Sequence, residues 1–184
     1  PIRMKRSNIA TFTNLANPLR KVYAKTKQAK VWGFTDTYFS FNSKKGRCEH
    51  CEGMGTIKSH MLFFQDQEVI CPQCHGKQFQ EQILRVTYQG YSIHEVLQLS
   101  VEEAITVFKE EKEIQKILRL LEHIGLGYVK LNQSLTTLSQ GEAQRLKLAR
   151  ELLQTKGKHN LYLLDEPTIG LHMQDVENFI KLLQ

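Results

Sequence analysis

The sequence predicts a mixed α/β chain of 184 residues. Three observations predict it. Amphipathic helical patterns dominate from Ser92 onward, a β-rich stretch threaded by four cysteines precedes them, and "NLYLLDEP" supplies an apolar strand, Leu161 to Leu164, without polar alternation. A strand of that last kind suits a sheet buried on both faces. Hydrophobic residues make up 41% of the chain, enough for a packed core, and the length suits one ordinary domain or two small ones.

In chain order, "NPLRKVYAKTKQAK" reads as a helix with Asn17 as its cap, Pro18 at the first helical position, and Leu19, Val22 and Tyr23 as its apolar stripe. "GFTDTYFSFNSKKGR", Gly33 to Arg47, is rich in aromatic, β-branched and turn residues and reads as loop with short strands. Further strands are expected in "TIKSHMLFF" and in "QILRVTYQG", which ends at Gly90. "SVEEAITVFKEE" opens with a capping box, Ser100 with Glu103, and carries a stripe of Val101, Ala104, Ile105 and Phe108. "EIQKILRLLEHIG" puts Ile114, Ile117, Leu118, Leu121 and Ile124 on one face and stops at Gly125. "SQGEAQRLKLARELLQ" is boxed by Ser139 and Glu142 and is expected to bury Ala143, Leu146, Ala149 and Leu153. "QDVENFIKLLQ" begins a last helix.

Charge is unevenly spread. Residues 1 to 60 hold 12 Lys/Arg against Asp36, Glu49 and Glu52, a balance of +9, while the remainder has 13 basic and 16 acidic residues, a balance of −3. Positive charge interleaved with Tyr23, Trp32, Phe34, Tyr38, Phe39 and Phe41 suits a polyanion such as DNA. A solvated basic face with aromatic core anchors is the alternative, and charge alone does not separate the two. No apolar stretch approaches the roughly 20 residues of a membrane span, and "PIRMKRSNIA" has no signal-peptide core, so a cytoplasmic address and no membrane partner are expected.

The cysteines are the most specific signal. Cys48, Cys51, Cys71 and Cys74 form C-x2-C-x19-C-x2-C and use every cysteine of the chain. Two knuckles of this spacing bring four soft thiolates to one point, which matches a structural zinc site. The alternatives are disulfides, disfavoured in a reducing cytosol, and buried free thiols. His50 and His75 lie in or beside the knuckles and are left outside the ligand set, because four thiolates complete it.

The second signal is the start of the boxed helix. Ser139, Gln140 and Gly141 stand at its first turn, where free amides and the positive end of the helix dipole favour a terminal phosphate. Capping without a ligand is the plain alternative. The order matters: the helix is followed by the strand that delivers Asp165 and Glu166, the arrangement by which NTPases place one carboxylate near magnesium and another near water. Yet G-x-x-x-x-G-K-[ST] occurs nowhere in the chain.

"LSQGEAQRLKLA" followed by "LYLLDEPTIGLH" resembles the signature motif and Walker B of the ABC ATPase superfamily. With "RSNIATFTN", "FSFNSKKGRCEHCEGMG" and the second cysteine pair ahead of it, almost the entire chain resembles the C-terminal half of the UvrA excinuclease family, the damage-sensing ATPases of bacterial nucleotide excision repair. The resemblance implies a helical signature domain with a small β-rich zinc insertion and a truncated edge of the ABC nucleotide-binding sheet. It implies segments 1–91 (basic, DNA-facing, zinc-bearing), 92–159 (signature domain) and 160–184 (truncated ATP-binding core).

By position, Asp165 would help hold magnesium and Glu166 would polarise the attacking water. Ser139, Gln140, Gly141 and Glu142 would face ATP bound on another nucleotide-binding domain of a full-length homodimer, and Pro167 to His172 matches the D-loop. Arg3, Lys5, Arg6, Lys44, Lys45, Arg47 and Lys58 become the candidates for contact with double-stranded or damaged DNA, and the excinuclease component UvrB becomes a protein partner. Gln140 stands where the family usually has glycine, and Ile169 where it usually has threonine, which is also compatible with a divergent resistance-associated paralogue. In the family the Walker A loop lies upstream of this segment and the switch histidine downstream, so the chain alone is expected to hydrolyse no ATP. Two other readings compete. "CEHCEGMG" fits the C-x-x-C-x-G-x-G repeat of Hsp40-type co-chaperones, although the second pair, "CPQCHGKQ", lacks the last glycine, and a transporter ATPase would leave the cysteines unexplained.

Overall fold

The computed structural model describes residues 7–59 and 67–154, with residues 166, 168, 173, 176, 177, 179 and 180. In order the elements are α1 (Ile9–Phe12), α2 (Ala16–Ala24), α3 (Lys27–Val31), β1 (Thr56–Ser59), β2 (Gln67–Ile70), α4 (Glu81–Leu84), β3 (Thr87–Tyr88), β4 (Tyr91–Ser92), α5 (Ile93–Gln98), α6 (Val101–Val107), α7 (Lys112–His123) and α8 (Gln140–Gln154). Short 3-10 turns lie at Asp36–Phe39 and Leu135–Thr137. Packing groups the chain into two units, Pro1–Leu15 with Leu97–Gln184, and Ala16–Val96. The expected segment 1–91 thus parts from its first residues, because main-chain pairing ties them to a distant loop, which no local pattern announces.

In the first unit, the Asn8 carboxamide and the Thr11 hydroxyl cap α1 reciprocally. The N–H groups of Ile9 and Ala10 donate to the carbonyls of Gln133 and Leu131 at 3.1 and 2.9 Å, so α1 braces the loop that leads into α8. The box of Ser100 and Glu103 opens α6, and the amides of Val101 and Glu102 donate to Val129 and Gly127 at 3.0 Å each. Gly125, at φ 73°, ends α7 with Leu126 N–H donating to Leu121 C=O at 3.0 Å. The stripes of α6 and α7 are buried as the periodicity predicts. Each large apolar side chain there contributes about 1.5–3 kcal/mol. The exposed Arg119–Glu122 pair contributes roughly 0.2–0.5 kcal/mol, so packing rather than surface charge joins these helices.

The second unit departs further from expectation. The predicted first helix starts at Ala16 rather than after Asn17, and it breaks at Lys25, where the Thr26 hydroxyl accepts from Ala29 N–H and starts α3. Gly33 to Arg47 forms a 3-10 turn and loops instead of strands, because Phe39 and Phe41 enter the core singly with no ladder partner alongside. "QILRVTYQG" is α4 followed by half of a hairpin: Ile83 and Val86 are buried at helical spacing, then Gln89 (φ 50°) and Gly90 (φ 86°) make the two-residue turn between β3 and β4. Tyr23 holds that hairpin to α2. Its buried ring meets Phe39 at 5.4 Å and Tyr88 at 6.3 Å, and its hydroxyl donates to Tyr91 C=O at 2.7 Å. The expected strand after the first cysteine pair is β1, paired antiparallel with β2 from Thr56–Ile70 to Ser59–Gln67. The strand Leu161 to Leu164 lies outside the described residues.

Candidate metal centre and helix-start anion site

The two cysteine knuckles repeat one backbone path. After Cys51 the chain turns through Glu52 (φ 52°), Gly53 (81°) and Gly55 (79°), and after Cys74 through His75 (49°), Gly76 (82°) and Gln78 (71°). The knuckles also exchange a hydrogen bond: Cys48 N–H donates to Gln78 C=O at 2.8 Å and Cys71 N–H to Gly55 C=O at 2.9 Å. Each leading cysteine is therefore fixed against the end of the other knuckle. At Gly53 no side chain fits, since an added Cβ would lie 1.9 Å from the Phe41 carbonyl oxygen.

All four Sγ atoms are buried and lie within 4.8 Å of one another, with Cys48 and Cys71 at 3.9 Å and Cys51 and Cys74 at 3.6 Å. A zinc tetrahedron with bonds of about 2.3 Å has sulfur–sulfur edges of about 3.8 Å, whereas a disulfide needs about 2.05 Å. The spacing fits the metal, and all four cysteines are free. Gly55 N–H donates to Cys51 Sγ at 3.2 Å. Burial pushes Cys74 up to about 12, while at Cys71 the amides of Cys74 and Gln73 outweigh burial and bring it down to about 7. Thiols this close do not all ionise unaided, and a bound cation would displace their protons. His50 and His75 are exposed at the rim. The residues present thus fit a closed, four-thiolate structural ion.

The start of α8 carries a different chemistry. Ser139 N–H donates to Glu142 Oε2 at 2.7 Å, and Glu142 N–H donates to Ser139 Oγ at 3.3 Å. The Tyr128 hydroxyl donates to Glu142 Oε1. Burial of Glu142 works against ionisation, but the Tyr128 hydroxyl, the Ser139 amide and hydroxyl, and the charge of Arg145 hold its pKa below the usual carboxylate value. The box leaves the amides of Gln140 and Gly141 as the remaining first-turn donors at the positive end of a 15-residue helix. Tyr128 escaped the sequence reading because the pair spans 14 residues and a loop. The buried arc of α8 is also rotated: Arg145, Leu146, Leu148 and Ala149 are buried, whereas Ala143 and Leu153 are half-buried. An arginine within a core stripe gives no apolar signal to read.

Asp165 lies outside the described residues, and Glu166 sits exposed on a bend with φ 44°. Arg3, Lys5 and Arg6 also lie outside them. Lys44, Lys45 and Lys58 are exposed, and the Lys45 ammonium stands 5.7 Å from the Tyr38 ring centroid. Arg47 is partly buried and ion-paired with Glu52 at 3.3 Å. No helix among the described residues is long and apolar enough to cross a membrane.

A family model described as ABC transporter matches residues 52–169. The chain is 48% identical over 182 residues to UvrABC system protein A of Bacillus subtilis, a match covering 99% of this chain and 19% of that protein. It is 47% identical over 182 residues to UvrABC system protein A of Aquifex aeolicus, covering 99% and 20% respectively. The crystal structure of UvrA2 from Deinococcus radiodurans superposes with a TM-score of 0.85 at 46% identity, covering 100% of this chain and 22% of that one. The chain spans about a fifth of the length of the relatives it matches.

Proposed function

The chain belongs to the ABC family, similar throughout its length to UvrA-type proteins, and from that premise we propose that it is the zinc-stiffened, DNA-facing segment of a damage-recognition ATPase of nucleotide excision repair. The observation that carries this reading is the presence in one chain of a four-thiol centre and a boxed helix start with two amides to spare. Zinc bound by Cys48, Cys51, Cys71 and Cys74 fixes the base from which the β1–β2 pair extends. It has no open coordination position and so no direct part in chemistry. Gln140 and Gly141 offer amides, and Ser139 a hydroxyl, to the terminal phosphate of ATP held by a second nucleotide-binding domain. Asp165 binds magnesium and Glu166 polarises water in the complete ATP site. The exposed Lys44, Lys45 and Lys58 contact DNA phosphates, and Arg47, already paired to Glu52, contributes less.

The test is binding of the purified chain to undamaged and lesion-bearing duplex DNA across a salt series, with ATP turnover measured alongside. Affinity that falls steeply with salt supports the reading, because each phosphate contact releases condensed counterion. Absence of DNA binding at low salt, or magnesium-dependent ATP hydrolysis by the chain alone, would overturn it.

A second reading has an observation of its own. All four residues of β2 are exposed, Ile70 by 69%, and the exposed Val69 and Ile70 suit a protein partner such as UvrB or an unfolded polypeptide. Competition between duplex DNA and UvrB for the chain separates the two roles.

A further inference from the structure

Trp32 is the one tryptophan of the chain and is 46% exposed, and its neighbour Val31 is 81% exposed. The local sequence puts it outside. Gly33, at φ 69°, ends α3, and Phe34 N–H donates back to Ala29 C=O at 2.8 Å, so the chain reverses and Phe34 passes beneath the indole. Trp32 meets Phe34 edge-on at 5.7 Å, Phe34 stacks on Tyr38 at 4.8 Å and 23°, and Phe34 also meets the buried Phe39 at 6.5 Å. The ladder runs from solvent into the core of its unit, so the indole is held against a firm base.

Cations occur in the same stretch of chain. Lys27 and Lys30 are exposed on α3, the helix that Trp32 ends, and Lys45 lies over the Tyr38 end of the ladder. Residues 20–47 hold eight Lys/Arg against Asp36 alone. A second copy of the chain would bring like charge to like, whereas a nucleic acid brings phosphates for the lysines and a π face for the indole. In a duplex the bases present only their edges, so stacking on Trp32 requires a base outside the helix.

We propose that Trp32, backed by Phe34 and Tyr38 within a basic stretch that includes Lys27, Lys30 and Lys45, stacks an unpaired nucleobase, making the exposed indole a site for single-stranded or locally unpaired nucleic acid. This rests on the nucleic-acid reading above and adds strand discrimination to it. Phosphate contacts alone take any duplex, and the indole selects the place where pairing has failed.

The test uses the single indole as its own reporter. Tryptophan emission of the chain is followed during titration with oligothymidylate and with a blunt duplex of equal length, and affinities of labelled strands are measured by anisotropy for the parent, W32F and W32A. Saturable quenching by oligothymidylate but not by duplex is expected. W32A should lose about tenfold in single-strand affinity with duplex affinity unchanged, and W32F should retain most of it. Duplex binding with silent emission and an unaffected W32A would overturn the inference and leave the nucleic-acid reading standing. Binding of neither strand form at low salt would overturn both, and emission that responds only to an unfolded polypeptide or to chain concentration would assign the face to protein instead.

Discussion

Glu142 is held at both carboxylate oxygens, by the Ser139 amide on one side and the Tyr128 hydroxyl on the other. This keeps the first turn of α8 in one conformation. Replacing Ser139 with alanine removes the cap on Glu142 N–H and is expected to cost about 1 kcal/mol, read by urea unfolding. The pH dependence has a defined sign. Because the folded-state pKa of Glu142 is depressed, its contribution is complete above the unfolded carboxylate value of about 4.3 and is lost as pH falls through the folded value. Glu142→Gln should therefore lower stability at pH 7 and narrow its gap to the parent as acid is added. A constant gap across that range would remove the carboxylate from the account. Tyr128→Phe should act in the same direction more weakly, since its side chain is exposed.

At the scale of elements, the knuckle is the unit that explains most. Its third left-handed position is glycine in the first copy and Gln78 in the second, and a side chain there costs roughly 1–2 kcal/mol. Gln78→Gly is expected to retain the metal and raise stability by about 1 kcal/mol, less the entropy that glycine adds to the unfolded chain. Gly53→Ala, facing the Phe41 carbonyl, should abolish metal loading as measured by zinc content per chain. The gathering of the four cysteines was legible because paired C-x2-C spacing announces two facing knuckles, and α6 and α7 were legible because box, stripe and terminal glycine all agree. The Gly33 to Arg47 aromatics misled: strand propensity reports fit to a half-buried surface, and here burial is supplied by Tyr23 and Phe79 rather than by a paired strand. The hairpin turn at Gln89–Gly90 was missed because β3 and β4 are two residues each, too short to show alternation. For the boxed helix start the residues were legible, but the Tyr128 brace depends on how the 124–131 loop folds back.

Over the whole chain, chemistry and charge are partitioned. The cysteines and the described basic candidates fall in Ala16–Val96, while the boxed helix start falls in the unit that includes Leu97–Gln184. The two units also hold their folds by different means. Leu97–Gln184 contains the packed stripes of α6 and α7, each side chain contributing about 1.5–3 kcal/mol. In the knuckles the buried groups are the thiols themselves with Met54 and Ile57 against them, too little apolar surface to order two loops of left-handed residues. Structural zinc contributes roughly 10–16 kcal/mol in small thiolate domains, far above what those contacts supply. Chelation at neutral pH is therefore expected to release one zinc per chain and to erase amide-exchange protection at Cys48, Cys71 and Gly55, while protection within α6 and α7 persists. Lowering the pH should release the ion as well, because protons compete for the thiolates. Loss of protection in α6 and α7 in step with the metal would show instead that the ion supports both units, and persistence at the cysteines after chelation would show that the knuckles hold without it.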